Sequence, residues 1–252
     1  MWTQLLIVCP LVFLGGFVDA IAGGGGLITL PAYLLAGLPP HNAIATNKVS
    51  SSCGGFVAMV KLGRAGCIPL RECLFAVPCA LIGSAAGAKL ALSIGDDVFR
   101  MILLVVLPLT ALYVLAGKGL KDEPSGPPLS DCRLYAFTAL ISLLLGVYDG
   151  FYGPGTGTFL LLLFTGVAKM NVRNAAGLSK AVNFSTNIGS LVTYALSGKA
   201  IFALGLPAAL CSMLGARLGS SLFLKDGTRI VRPVMLGVLG IFFVKTLYEL
   251  LF

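Results

Sequence analysis

The sequence predicts an all-α polytopic membrane protein built of two inverted-topology repeats, each carrying a glycine-broken or re-entrant helix, with roughly eight to ten embedded segments. Three observations predict it. Apolar residues make up 57% of the 252 residues and charged residues only 11%, against about 25% charge in a soluble domain, and the mean hydropathy is +0.96. The same motifs recur in the same order in both halves. Lys and Arg gather on alternate connections. A water-soluble domain is excluded. The net charge of +8 is scattered at segment ends with no basic stripe, which excludes nucleic-acid binding.

Residues 4–22 form the first apolar segment, and the chain start lacks the basic leader and cleavage pattern of a removable signal. Residues 27–37 form the second, only 11 residues long, which is short for a span of about 20. It is either a short crossing or a re-entrant hairpin with the first. Segments 43–60, 70–92 and 98–116 complete this half. The second half runs as 132–150, 156–167, 174–196, 200–222 and 230–251, again with a short second member. Either option leaves an odd number of crossings per half, so the second half inserts upside down. The polar stretch KGLKDEPSGPPLSDCR separates the halves. The expected organisation is therefore a first membrane repeat over 1–117, a cytoplasmic linker over 118–131 and a second membrane repeat over 132–252.

The repeat is carried by specific residues. GFVDAIAGGGGLITLP (16–31) matches VYDGFYGPGTGTFLLL (147–162), aligning Asp19 with Asp149 and the glycines four and six residues on. NAIATNK (42–48) matches NAAGLSK (174–180). Gly83-x-x-x-Gly87 and Gly215-x-x-x-Gly219 occupy related segments and read as helix-packing motifs. Charge asymmetry then orients the chain. Connections 61–72, 117–133, 167–173 and 223–232 hold eleven Lys and Arg, whereas 1–4, 37–42, 93–100 and 197–200 hold two. Both termini are thereby expected outside the cytoplasm.

The candidate chemistry lies at the breaks. Gly23, Gly24, Gly25 and Gly26 fall between apolar stretches, where main-chain polar groups need protein or a cavity around them. Glycine lets a ligand approach the main chain, and the half-helix that follows aims N–H groups into the break, which attracts anions. Gly153, Gly155 and Thr156 repeat the arrangement. Lys48 and Lys180 sit inside apolar segments, flanked by Asn47, Ser51, Ser179 and Asn183 at near-helical spacing, a face able to ring an oxyanion with donors. Asp19 and Asp149 are ionisable groups within the membrane. They read either as coupling carboxylates or as structural partners that neutralise the lysines. His41, beside Pro39 and Pro40, reads as a solvated loop residue. The seven cysteines contain no C-x-x-C pair and read as small hydrophobes, not as disulfides or a zinc site.

Together the runs DAIAGGGGLITLP, NAIATNK and YDGFYGPGTG resemble the TauE/SafE sulfite exporter family, also called the 4-toluene sulfonate uptake permeases, and most of all its YfcA-like branch. The resemblance covers essentially the whole chain. It implies a secondary carrier of the bacterial inner membrane for sulfite, sulfonates or related organosulfur anions, bound near the midplane between the repeats. Expected partners are the small anion and the lipid bilayer, with proton coupling and a homodimer as further expectations. No enzymatic activity, cofactor, metal or nucleic-acid partner is expected. The alternatives are a passive anion channel and an intramembrane aspartyl protease. Tyr148-Asp149 fits the protease, but its Gly-x-Gly-Asp signature is missing. No Walker A pattern supports an ATP-driven pump.

Overall fold

The structure is a computed structural model that describes residues 2–99, 101–102 and 129–226. The expected segments 98–116 and 230–251 and the linker 118–131 lie wholly or largely outside the described residues. Among the described residues no strand occurs. The helices are α1 Trp2–Ala22, α2 Gly26–Leu35, α3 Pro40–Arg64, α4 Leu70–Leu92, α5 Asp131–Phe151, α6 Thr156–Gly166, α7 Val172–Leu196 and α8 Phe202–Asp226.

Four of these, α1, α4, α5 and α8, are long and apolar enough to cross a membrane. At 1.5 Å per residue, the 21 residues of α1 reach about 31 Å, matching a hydrocarbon core of about 30 Å. The short helices, 10 residues in α2 and 11 in α6, reach about half of that. Both fold back along the helix before them. Gln4 in the first turn of α1 donates to the Ala36 carbonyl just past α2 (3.1 Å), and Thr29 lies against Gly15. In the second half the Tyr148 hydroxyl donates to the Pro154 carbonyl (2.7 Å), and the Tyr148 and Phe159 rings meet at 5.6 Å. In both halves the chain turns back at the break, the geometry of the hairpin option, and in the first half the contact reaches the start of α1. Gly23 makes the first turn: its N–H closes α1 on the Asp19 carbonyl (2.8 Å) at φ +77°, the left-handed conformation that ends helices and suits glycine.

α3 and α7, 25 residues each, are too polar for the apolar set, and their composition explains their place. Asn47, Lys48, Ser50 and Ser52 on α3 and Lys180, Asn183, Thr186 and Asn187 on α7 are all buried, because such side chains are tolerated at membrane depth only when turned toward protein or a cavity. The two helices run antiparallel. At one end the Arg173 guanidinium donates to the Ala65 carbonyl (2.8 Å). At the other, the Asn42 amide donates to the Lys199 carbonyl (2.9 Å) and the Ile201 N–H to the Thr46 hydroxyl (3.1 Å).

The glycine motifs pack the outer helices. A Cβ on Gly215 or Gly219 would stand 2.1 or 2.2 Å from the carbonyl oxygen of Phe13 or Phe17, and one on Gly83 or Gly87 2.3 or 2.0 Å from that of Leu143 or Val147. So α8 lies against α1, and α4 against α5, at a distance only glycine permits. Each contact joins one half of the sequence to the other. The connections also sort by end. Cys67 and Ala65 meet Arg173 at one end; Ala36, Asn42, Asp96 and Lys199 cluster at the other. Two of the connections rich in Lys and Arg, 61–72 and 167–173, thus share one end, and the sparse ones share the other.

His41 departs from its expected place in a solvated loop. It is 4% exposed, because Pro40 at the first helical position starts α3 a turn before the apolar segment begins. Its Nδ1 meets the Asp96 carboxylate, its Nε2 the Ala91 carbonyl (2.9 Å), and its ring stacks on Phe99 at 4.4 Å. The ring's hydrogen bond holds the Asp96 carboxyl below its ordinary value.

Candidate functional site

The two glycine breaks face each other at the centre of the bundle. A Cβ on Gly23 would lie 2.3 Å from the carbonyl carbon of Gly157, and one on Gly26 2.9 Å from Cα of Pro154, so the first turn packs backbone to backbone against the second. Thr158 ties them, donating to the Ala22 carbonyl (2.8 Å). Where the breaks meet α3, α7 and the middle of α8, they leave a cavity of about 30 Å³.

The two lysines enter this cavity from opposite helices, and each is paired across the halves. Lys48 on α3 donates to the Asp149 carboxylate on α5 at 2.7 Å. Lys180 on α7 meets the Asp19 carboxylate on α1 at 3.2 Å and also donates to the Asp19 main-chain carbonyl. The pairs are alike in chemistry but not in surroundings. Lys48 and Asp149 are 2% and 3% exposed, whereas Asp19 retains 25% exposure beside a Lys180 at 5%. Two cations and two carboxylates sum to no net charge, so the cavity is formally neutral as it stands.

Of the sequence-predicted site residues, Gly23, Gly25, Gly26, Asn47, Lys48, Ser51, Gly153, Lys180, Asn183, Asp19 and Asp149 line this one cavity. Gly24, Gly155, Thr156 and Ser179 stand behind it. The Thr156 hydroxyl donates to the Gly153 carbonyl (2.7 Å), and that of Ser179 to the Gly157 carbonyl (3.0 Å). These two and Gly155 shape the second break, Gly24 belongs to the first, and none of the four lines the space. On α3 and α7 the lining side chains are linked within each helix: Ser51 donates to the Asn47 side chain (3.3 Å), and the Asn187 amide to the Asn183 side chain (2.8 Å).

Gly157 of the second glycine break also lines it, and sequence reasoning missed Thr29, Phe184, Asn187 and Ser212 and the glycines Gly15, Gly16, Gly54 and Gly55, which complete the lining. Asn187 was recoverable, since it falls four residues after Asn183 and seven after Lys180, on the same helix face. Ser212 and Thr29 carry no motif, and only the fold brings them in. Gly16 and Gly54 are close-packing sites: a Cβ on Gly16 would stand 2.5 Å from the Ser212 carbonyl oxygen, and one on Gly54 2.2 Å from the Ser212 hydroxyl. Thr29 is 3% exposed, and its hydroxyl has no hydrogen-bond partner among the described residues. Among those residues, too, no group of three His, Cys, Asp or Glu is placed to hold a metal ion.

Comparison with known proteins adds the following. Residues 8–246 match the family described as Sulfite exporter TauE/SafE. The chain is 34% identical to the probable membrane transporter protein YfcA of Escherichia coli K12, covering 98% of this chain and 94% of that protein. It is 35% identical to a probable membrane transporter protein of Haemophilus influenzae, over 97% and 95%, and 35% identical to the probable membrane transporter protein ORF9 of a Sinorhizobium species, over 88% and 84%. No solved structure matches the chain.

Proposed function

The chain belongs to the TauE/SafE sulfite exporter family, a multi-pass membrane transporter, and from that premise we propose that it is an ion-coupled secondary carrier of small organosulfur anions such as sulfite, working in a bacterial inner membrane. The observation that carries this reading is the convergence of Lys48 and Lys180, one from each half, on a single cavity at two opposed glycine breaks. A lysine at membrane depth is costly unless it neutralises something, and main chain bared by glycine adds donors that an oxyanion can use.

The inverted-repeat organisation, with units 1–117 and 132–252 joined by a cytoplasmic linker over 118–131, belongs to the same proposal. It is supported by the opposite directions of α3 and α7, which carry the matching lysine motifs, and by the exchange of partners in both ion pairs. Two units related this way can rock about the cavity and open it alternately to either side. Within this reading Asp19 and Asp149 are the two candidates for the coupling carboxylate, and Asn47, Ser51 and Asn183 supply uncharged donors.

Purified protein in liposomes, challenged with sulfite, thiosulfate, sulfonates and carboxylates with and without a pH gradient, tests the reading. Saturable flux of sulfur oxyanions that the gradient stimulates is the expected result. Flux of none of them, or carboxylate flux alone, refutes the substrate class; non-saturable flux indifferent to the gradient favours a channel.

A further inference from the structure

The two Asp–Lys pairs match in sequence but differ in geometry, and the difference divides their labour. Lys48 has the Asp149 carboxylate as its hydrogen-bond partner, and both side chains are almost fully enclosed. If Asp149 lost its charge, Lys48 would be left a buried, unpaired cation, a costly state. Lys180 is held differently. It donates to the main-chain carbonyl of Asp19 as well as to its carboxylate. The carbonyl cannot titrate, so it keeps the ammonium in place whether or not the carboxylate is ionised. Asp19 is also the more exposed carboxylate, which gives a proton access to it.

Thr29 lines the same cavity. Its methyl lies against Gly15, whose own neighbour is the Gly25 carbonyl, and Gly25 in turn abuts the Asp19 side chain. Its hydroxyl is buried and without a protein partner among the described residues, a state that costs free energy unless a ligand or water satisfies it. The other ionisable groups sharing the cavity with Asp19 are Lys48 from α3, Asp149 from α5 and Lys180 from α7, while α8 contributes Ser212 and α6 Gly157, neither charged.

We propose that the anion seats at the Lys180–Thr29 corner of the cavity, that Asp19 must take up a proton to admit it, and that Lys48–Asp149 stays paired throughout. The formal charges lead there. With both pairs intact the cavity is neutral, and an entering monoanion brings one uncompensated negative charge into a low-dielectric site. One proton on Asp19 cancels it, frees Lys180 to face the anion without moving, and leaves the Thr29 hydroxyl to donate to an anion oxygen. The proton comes from water on the side of entry and leaves with the anion. This assignment rests on the carrier reading above.

The test is anion binding by purified full-length protein, with sulfite as probe, across a pH series. Asp19→Asn mimics the protonated carboxyl. The ratio of the wild-type Kd to that of Asp19→Asn is expected to rise with pH, by up to about tenfold per unit. The probe's own titration is common to both proteins and cancels. A ratio flat from pH 5 to 9 overturns the proton role. Thr29→Val, close in volume but lacking the hydroxyl, is expected to weaken binding about tenfold or more while leaving the melting temperature unchanged or raised, since no protein hydrogen bond is lost. Unchanged sulfite affinity in Thr29→Val overturns the seat. Lys48→Gln with Asp149→Asn, which removes the Lys48–Asp149 pair and leaves the cavity neutral, should keep the wild-type pH dependence; loss of that dependence in the double variant would reverse the assignment. Wild-type protein that binds no sulfite fails the carrier's substrate class, a result separable from both.

Discussion

Replacing Gly23 by alanine is the sharpest probe of the opposed breaks. The added Cβ would stand 2.3 Å from the Gly157 carbonyl carbon, 2.5 Å from the Thr158 nitrogen and 2.6 Å from the Gly157 Cα. All three are main-chain atoms, so no side chain can swing away, and the breaks must part by about 1 Å to restore ordinary contact. Alanine must also hold φ near +77°, which costs roughly 1–2 kcal/mol. Forced repacking adds roughly 1–3 kcal/mol, and the stiffer unfolded chain returns roughly 0.4–1 kcal/mol, for a net loss of about 1–5 kcal/mol. Gly37→Ala isolates the backbone term, because Gly37 has φ +84° and nothing within 4 Å of the new methyl. Gly24→Ala is the other control; its nearest neighbour is the Thr158 hydroxyl at 3.5 Å, an ordinary contact. Sulfite flux in liposomes and melting in detergent are measured on all three. Gly23→Ala should melt lowest and lose at least about tenfold in flux, since displacements of about 1 Å suffice to spoil a preorganised site; the controls should transport. If Gly23→Ala melts and transports as Gly37→Ala does, the breaks do not depend on their backbone contact and the reasoning fails.

Three further outcomes are expected. Lys48→Gln should cost about 3–5 kcal/mol of stability by stranding the buried Asp149 carboxylate, and Lys48→Gln with Asp149→Asn should recover much of it; folded yield and melting decide, and equal losses would mean the pair is not coupled. Asp96→Asn should lower the melting temperature at neutral pH. Because the His41 ring depresses the Asp96 carboxyl in the folded chain, its contribution is present above the ordinary carboxylate value of about 4 and fades as the pH falls through the lowered one, so mutant and wild type should converge in acid. Reporters placed within residues 121–130 and after Phe252 should report opposite sides of the membrane, with the linker cytoplasmic; a cytoplasmic carboxyl terminus would refute the inverted arrangement.

The all-helical membrane class was legible because it is written in composition, and the two short helices because their apolar runs are half the length of a span. Bounds expected at 27–37 and 156–167 fall within about two residues of Gly26–Leu35 and Thr156–Gly166. Most of the residues that meet in the cavity were legible too, since unusual side chains in apolar runs are visible one at a time. Their partnership was not. Nothing local tells Lys48 that its carboxylate is Asp149 and not the nearer Asp19, because that choice is made by how α3 and α5 lie across the cavity. Thr29 and Ser212 were invisible for a related reason, being ordinary residues on apolar helices until the hairpin and the α1–α8 contact turn them inward. His41 was misplaced because the apolar run begins two residues later, whereas Pro40 had already set the helix.

The exchange of partners bears on how such a carrier could move. If each lysine paired with the aspartate of its own half, the halves could rock with both ion pairs intact and no linkage between movement and charge. Here both pairs span the halves, so relative motion must either stretch two ion pairs in a low-dielectric interior or turn about them. Stretching a fully enclosed pair is costly, which makes Lys48–Asp149 the natural pivot. Lys180–Asp19 can loosen at lower cost, because the carbonyl retains the ammonium and the carboxylate is open enough to be protonated. An anion and a proton arriving together would thus relax one of the two links that hold the halves, and neither alone would do so without leaving a bare charge in the cavity. On the carrier reading proposed above, that requirement would tie the proton to the anion, and it is the asymmetry between two pairs that the repeated sequence presents as equals which motivates it.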